Sequence, residues 1–188
     1  MDTRTIFFIG KPGCGKGTQA KLLSKETGWQ VVTAGDQFRA IAMEDTSMGR
    51  KTKLEMEAGF LMPSWLATYL YLGFLHSVSE DASIIFDGFG RKAPEAEVVI
   101  DSLKWIGRPF TVLNIQISDE SVLHRLSLRK NVEGRADDSA IEERLKEYHE
   151  YTDPAIQLFH KAGMLINIDG ESSLEDVAIK VNKALNIE

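Results

Sequence analysis

The chain has 188 residues, and its hydrophobic fraction of 43% and charged fraction of 27% are ordinary for a globular protein with one core. Its formal net charge of −6 argues against nucleic acid as the main partner, because nucleic-acid-binding surfaces are basic. The single cysteine, Cys14, excludes an internal disulfide framework and a four-cysteine zinc site, and no apolar run approaches the length of a membrane span. We therefore expect a cytoplasmic monomer with no nucleic-acid or membrane partner.

In chain order, five short runs of β-branched and aromatic residues predict strands at Thr5–Ile9, Trp29–Val32, Ser83–Asp87, Phe110–Ile117 and Met164–Asp169. Most of these runs are apolar throughout, which is typical of strands buried on both faces of a parallel sheet. Helical patterns lie between them, so the sequence predicts an α/β fold with right-handed crossovers.

Two stretches interrupt this alternation of strands and helices. Between Thr33 and Pro63, two short helical patterns precede the next strand. Between Arg129 and Ser139, the chain is polar, contains glycine and cannot bury itself. The sequence therefore predicts a core with two small insertions.

The first predicted strand runs into GKPGCGKGTQ, residues Gly10 to Gln19, which nearly satisfies the phosphate-loop pattern G-x-x-x-x-G-K-[ST]. Gly17 stands where the pattern has a hydroxyl residue, and Thr18 comes one position late. In such a strand–turn–helix, backbone N–H groups hold phosphate oxygens, and Lys16 would reach the β- and γ-phosphates. The alternative interpretations are a glycine-rich turn at a helix start and, for Cys14, a small loop residue and not a reactive thiol.

The form GxPGxGKGTQ resembles the phosphate loop of the adenylate kinase family, in which glycine follows the lysine. The resemblance implies a three-layer phosphate-loop (P-loop) fold with a five-stranded parallel sheet and two small mobile lids. It also implies that ATP is bound by Gly13, Cys14, Gly15, Lys16, Gly17 and Thr18.

Three further segments resemble the acceptor side of this family: TAGDQFRA from Thr33, EAGFLMPSW from Glu57 and DGFGRKAPEAE from Asp87. Taken alone, Arg39 would be a solvated helix residue, and Phe60–Met62 an apolar hinge. By the resemblance, Arg39 and Arg91 hold the acceptor phosphate, and Asp87 orients Mg²⁺ through waters at the end of a strand. The AMP-binding residues implied in this way are Ala34, Arg39, Phe60, Leu61, Met62, Gly88, Phe89, Gly90, Arg91, Glu95, Arg135 and Arg144.

Four arginines occur in order in HRLSLRK and GRADDSAIEERLKEY, namely Arg125, Arg129, Arg135 and Arg144. The alternative interpretation is a salt-bridged helical surface with Glu142, Glu143 and Glu147. The second segment resembles the family's R-x-D-D…I-x-x-R-L-x-x-Y. The resemblance implies that Arg125 stacks on the donor adenine, that Arg129 binds the donor phosphates, and that Arg135 and Arg144 bridge the two substrates. It further implies lid closure by Asp137 and Asp138, and a backbone contact of Ser172 with the donor adenine.

The resemblance divides the chain into a core (1–32, 63–128 and 139–188), a monophosphate-binding lid (33–62) and a short triphosphate lid (129–138) with no room for a zinc-binding insert. Phosphoryl transfer depends mostly on positioning and electrostatic stabilisation. The catalytic residues implied are Lys16, Arg91, Arg129, Arg135 and Arg144.

Three positions depart from the family pattern: Ala34 replaces a usual threonine, Gly90 a usual proline, and Glu95 the glutamine that reads adenine. A glutamine amide can donate to adenine N1 and accept from its amino group, whereas an ionised glutamate can only accept. Glu95 would then suit guanine, become protonated to serve adenine, or turn into solvent. AMP remains the first acceptor expected, with GMP, CMP or UMP as alternatives.

We therefore expect reversible, Mg²⁺-dependent phosphoryl transfer from ATP to AMP, giving two ADP without a covalent enzyme intermediate. The alternatives are the same reaction on another nucleoside monophosphate, a non-catalytic nucleotide-binding module, and a small-molecule kinase on a related fold.

Overall fold

The computed structural model describes residues 4–132 and 140–187, with the side chains of residues 129–132 outside that description. Its strands are β1 (Thr5–Gly10), β2 (Gln30–Thr33), β3 (Ile84–Asp87), β4 (Phe110–Gln116) and β5 (Leu165–Asp169). They form one sheet in the order β2-β3-β1-β4-β5, and each neighbouring pair is parallel. The predicted strands and their parallel arrangement are confirmed, with ends that differ from the prediction by no more than one residue.

The helices lie between and after the strands. They are α1 (Lys16–Thr27), α2 (Ala34–Ala42), α3 (Ser47–Glu57), α4 (Ser64–Ser77), α5 (Ala93–Trp105), α6 (Asp119–Val132), α7 (Ile141–Glu147), α8 (Asp153–Lys161) and α9 (Leu174–Leu185). The pair α2 and α3 confirms the two short helices expected between β2 and β3. Among the described helices, none is long and apolar enough to cross a membrane.

Alternate residues of β1 face two different hydrophobic clusters. Phe7 and Ile9 pack with α4, α5 and α8, whereas Ile6 and Phe8 pack with α1, α6 and α9. Burying one such side chain contributes about 1.5–3 kcal/mol, so the two clusters together hold the helices on both faces of the sheet. This arrangement confirms the predicted three-layer α/β fold.

A π-helical turn, Tyr148–Thr152, joins α7 to α8 without a break in the helical path. Pro154 follows it as one of the first residues of α8. Proline lacks the N–H that would complete an α-helical bond to the preceding turn, and its ring crowds the carbonyl of that turn. The wider π turn accommodates this conflict.

The sheet brings the carboxyl ends of all five strands to one edge. Strands β2 and β3 lie on one side of β1, and strands β4 and β5 lie on the other side. In open α/β sheets, ligands bind in the crevice where the strand order reverses in this way. The predicted phosphate loop follows β1 directly and therefore lies at that crevice.

Candidate active site

The phosphate loop connects the end of β1 at Gly10 to the start of α1 at Lys16. No side chain of the described residues caps the N-terminus of α1, and its first turn contains no acidic residue. The first N–H groups of a helix have no partner within the helix and carry a partial positive charge. The loop can therefore hold an anion with backbone N–H groups.

Lys16 folds back onto this loop. Its Nζ donates to the carbonyl oxygens of Gly10 at 2.8 Å and Lys11 at 2.7 Å, and lies 3.5 Å from the Cys14 Sγ. Burial lowers the pKa of Lys16, and the nearby thiol and the Asp87 carboxylate act in the opposite direction. An incoming phosphate would compete with the loop carbonyls for this ammonium group.

Gly17 lies directly against the carboxylate of Asp87. A Cβ atom at residue 17 would lie 3.1 Å from the Asp87 Oδ2, closer than ordinary van der Waals contact. A hydroxyl side chain at residue 17, as in the general phosphate-loop pattern, would therefore crowd a carboxylate from the end of β3. This explains the glycine where the pattern has serine or threonine.

A cavity of about 570 Å³ lies beside the phosphate loop and extends to the ends of β2 and β3. It brings together most of the site residues predicted from the sequence. They are Gly13, Gly15, Lys16, Gly17, Thr18, Ala34, Arg39, Phe60, Leu61, Met62, Asp87, Gly88, Arg91, Glu95, Arg125 and Arg144.

The lining of this cavity is cationic. Among the described residues, the lining contains six basic side chains and three carboxylates: Lys16, Lys21, Arg39, Arg91, Arg125 and Arg144 against Asp36, Asp87 and Glu95. The chain as a whole carries a formal net charge of −6. A concentration of positive charge in the cleft of an acidic protein attracts polyanions such as nucleotide phosphates.

Other predicted site residues lie elsewhere. Cys14 is buried beneath the loop, and Phe89 packs in the core against Phe86 and Tyr71. Ser172 lies outside the cavity lining, and its Oγ accepts from the Lys180 Nζ at 2.7 Å. Gly90, next to Phe89, is also absent from the lining. The predictions for Arg129, Arg135, Asp137 and Asp138 concern side chains outside the description.

The cavity also contains residues that sequence reasoning missed. Lys21 lies one helical turn after Gly17 and Thr18 on α1. On α2, Gly35 lies one turn before Arg39, and Phe38 lies one turn after Ala34. Helical periodicity around the predicted residues could have found them. The other missed residues are Pro12, Thr33, Asp36, Met56, Gly59, Ala67 and Leu126.

Arg39 and Arg125 each make a side-chain contact that orients the guanidinium group. The Nη2 of Arg39 lies 2.5 Å from the Asp36 Oδ1, one turn earlier on α2. The Nη2 of Arg125 donates to the carbonyl of Gly170 at 2.8 Å, which joins α6 to the loop after β5. The first contact fixes Arg39 on the predicted acceptor side of the cavity, and the second fixes Arg125 on the predicted adenine side.

The backbone of Leu61 is held by α7 and by the N-cap residue of α5. Its N–H donates to the Glu147 Oε2 at 2.8 Å, and its carbonyl accepts from the Lys92 Nζ at 3.2 Å. The Lys92 Nζ also lies 4.9 Å from the centre of the Tyr151 ring. We call Glu147, Leu61 and Lys92 the hinge clamp, because Leu61 lies between α3 and α4.

Glu95 is buried, with 5% of its surface exposed. Its Oε2 accepts from the backbone N–H of Arg91 at 2.9 Å. Burial raises the pKa of Glu95, while the N–H groups of Arg91 and Lys92 and the charge of Arg91 lower it. The interpretation that Glu95 turns into solvent was wrong, because these N–H groups draw the carboxylate inward.

A magnesium ion carried by a nucleotide fits the residues present. Among the described residues, no group of three or more His, Cys, Asp or Glu side chains is arranged to hold a metal ion. Mg²⁺ on nucleotide phosphates needs only one or two protein carboxylates, since it keeps several waters. The Asp87 carboxylate, inside the cavity beside the phosphate loop, suits this requirement.

Comparison with known proteins agrees with the geometry of the cavity. Residues 8–164 match the family model described as adenylate kinase. The adenylate kinase of Parabacteroides distasonis is 33% identical over 184 residues, which cover 96% of this chain and 97% of that protein. The chain belongs to the adenylate kinase family. The family's enzymes from Maricaulis maris (34% identity over 96% of this chain and 97% of the relative) and Thermus thermophilus (32% over 98% of each) are similarly close. Membership makes the chain a nucleoside monophosphate kinase.

The departure at Gly90 from the adenylate kinase pattern has a structural explanation. Gly90 has a φ of 71°, and proline is restricted to a φ near −65°. A Cβ at this position would also lie 3.0 Å from the Phe159 Cζ. The turn that leads to Arg91 therefore differs from one built on proline.

Proposed function

We propose that the chain catalyses reversible, Mg²⁺-dependent transfer of a phosphoryl group from ATP to AMP, giving two ADP. The observation that carries the proposal is one cavity that joins the phosphate loop to the acceptor segments and is lined by six cations in an acidic chain. Two nucleotides bring many phosphate oxygens to a single site, and such a lining would neutralise them.

On the donor side, the N-terminus of α1 and the loop from Gly13 to Thr18 would hold the ATP phosphates. Lys16 would exchange its bonds to the loop carbonyls for bonds to the β- and γ-phosphates. Arg125 and the backbone near Ser172 would bind the adenine. Asp87 would hold Mg²⁺ through waters, and the ion would neutralise phosphate charge.

During transfer, charge develops on the oxygens around the moving phosphorus atom. Arg91 and Arg144 line the cavity and would stabilise this charge with Lys16. Arg129 and Arg135 are assigned to the same role from the sequence. Residues 33–62 and 129–138 would act as the lids that exclude water from the reaction.

On the acceptor side, Arg39 and Arg91 would bind the AMP phosphate, and Phe60, Leu61 and Met62 would meet the base. A second acceptor is considered because of Ala34 and Glu95. Ala34 is buried and has no polar side-chain atom, so it cannot replace the contact of the family's usual threonine. Glu95 presents acceptors where the family presents an amide.

The test is a coupled assay of ADP formation with ATP and each of AMP, GMP, CMP and UMP. We expect turnover with Mg²⁺, the highest kcat/KM for AMP, and loss of turnover when Mg²⁺ is chelated. A higher kcat/KM for another monophosphate would replace AMP as the acceptor. Nucleotide binding without turnover of any monophosphate would contradict a kinase and favour the non-catalytic module.

A further inference from the structure

The carboxylate of Glu95 closes the N-terminus of α5. Glu95 is the third residue of this helix, and the N-cap residue Lys92 provides no side-chain cap among the described atoms. The Glu95 Oε2 instead accepts the N–H of Arg91, which lies just before the helix, at 2.9 Å. A carboxylate at this position reaches back to the unpaired N–H groups and meets the positive end of the helix dipole.

Arg91 depends on nearby negative charge. Its Nε is buried and has no hydrogen-bond partner among the described residues. Burial lowers the pKa of Arg91, and the charges of Glu95 and then Asp87 offset that effect. A guanidinium removed from water needs such compensation. Glu95 therefore supports Arg91 in two ways. Its Oε2 accepts the backbone N–H of Arg91, and its negative charge offsets the cost of burying the Arg91 guanidinium.

We propose that Glu95 is a positioning residue for Arg91 and that, through Arg91, it sets the affinity of the site for the acceptor's phosphate. This inference rests on the proposed function, in which Arg91 binds that phosphate. The Glu95 carboxylate would partly neutralise the positive charge of Arg91 that the acceptor's phosphate meets. A glutamine in its place would keep the bond to the Arg91 N–H and remove the negative charge.

Binding measurements separate this role from reading of the base. The dissociation constants of AMP, GMP and ribose 5-phosphate, which carries no base, are measured by calorimetry for the wild type and Glu95→Gln. We expect all three to bind more tightly to the variant by the same factor, about three- to tenfold. Glu97→Gln is the matched control, because Glu97 lies two residues later on α5 and is exposed; its constants should equal those of the wild type.

Two results would overturn the inference. Tighter binding of AMP with unchanged ribose 5-phosphate would mean that residue 95 reads the base, and unchanged binding of all three would mean that Glu95 only caps the helix. Glu95→Asp provides a second measurement, because it retains the charge; a gain in ribose 5-phosphate affinity as large as that of Glu95→Gln would also contradict the proposal. Absence of ADP formation by the wild type would contradict the proposed function and leave these binding results intact.

Discussion

Lys16 is the residue on which the proposed chemistry depends most. Lys16→Met removes the ammonium group that would stabilise phosphoryl charge, and we expect kcat to fall by about 10²-fold or more, or about 3 kcal/mol of barrier. Thermal unfolding should remain cooperative, because the lost contacts are local to the loop. Lys25→Met, near the end of α1 and exposed, is the control and should keep full activity. A rate for Lys16→Met within about threefold of the wild type would show that this loop is not catalytic.

His149 gives the fold a dependence on pH. Its Nδ1 lies 2.9 Å from the Asp153 Oδ2, and its Nε2 lies 3.2 Å from the Asp119 Oδ2. The other oxygen of this carboxylate, Asp119 Oδ1, pairs with Lys11. The hydrogen bond with Asp153, followed by that with Asp119, raises the pKa of His149. The charged imidazole therefore stabilises the folded state below its unfolded pKa of about 6.5. This contribution is lost as the pH rises through the higher folded pKa.

The variant His149→Gln tests this dependence. We expect its free energy of unfolding to fall below that of the wild type at about pH 5.5 and to approach it at about pH 8.5. The difference should stay under about 1 kcal/mol, because all three side chains are partly exposed. Urea unfolding at both pH values measures it, with the exposed His160→Gln as control. A difference that grows with pH would contradict the assigned charge.

At the scale of elements, the hinge clamp joins the connection between α3 and α4 to α5 and α7. Glu147→Ala removes the acceptor of the Leu61 N–H, and a hydrogen bond to a charged group is worth about 1.5–3 kcal/mol. We expect unfolding stability to fall by this amount and the Leu61 amide to exchange its hydrogen faster. Glu150→Ala, on the exposed side of the π turn, should change neither. Unchanged exchange at Leu61 in Glu147→Ala would show that the clamp does not hold the hinge.

The elements that the sequence predicts best are those whose conformation is determined by their own residues and the residues next to them. The strands were predicted to within one residue, because each is a short apolar run bounded by polar or turn residues. The phosphate loop was predicted because its glycines and Lys16 are contiguous. The π turn was not predicted, since Pro154 alone does not say whether a helix bends, ends or widens. The direction of Glu95 was also unpredictable, because it follows from the positive φ of Gly90 and the turn around Arg91.

At the scale of the whole molecule, the proposed reaction requires the triphosphate lid, residues 129–138, to bring cations to a centre built by the core. Arg129→Ala and Arg135→Ala should each reduce kcat by about 10²-fold or more. The double variant should lose less than the product of the two single effects, because both side chains act on one cluster of charge. Steady-state kinetics of the three variants measure this. Full activity of both single variants would make the lid assignment wrong.

The contact between Gly17 and Asp87 restricts how this enzyme can evolve. A side chain at residue 17 and the carboxylate at residue 87 compete for one space, so mutations at the two positions are epistatic. A serine at residue 17 would require the Asp87 carboxylate to shift by a few tenths of an ångström. A descendant that gains the hydroxyl of the general phosphate-loop pattern would pass through an intermediate in which residues 17 and 87 are crowded, or one in which residue 87 has already changed. The glycine at residue 17 is therefore constrained by a residue seventy positions later in the chain.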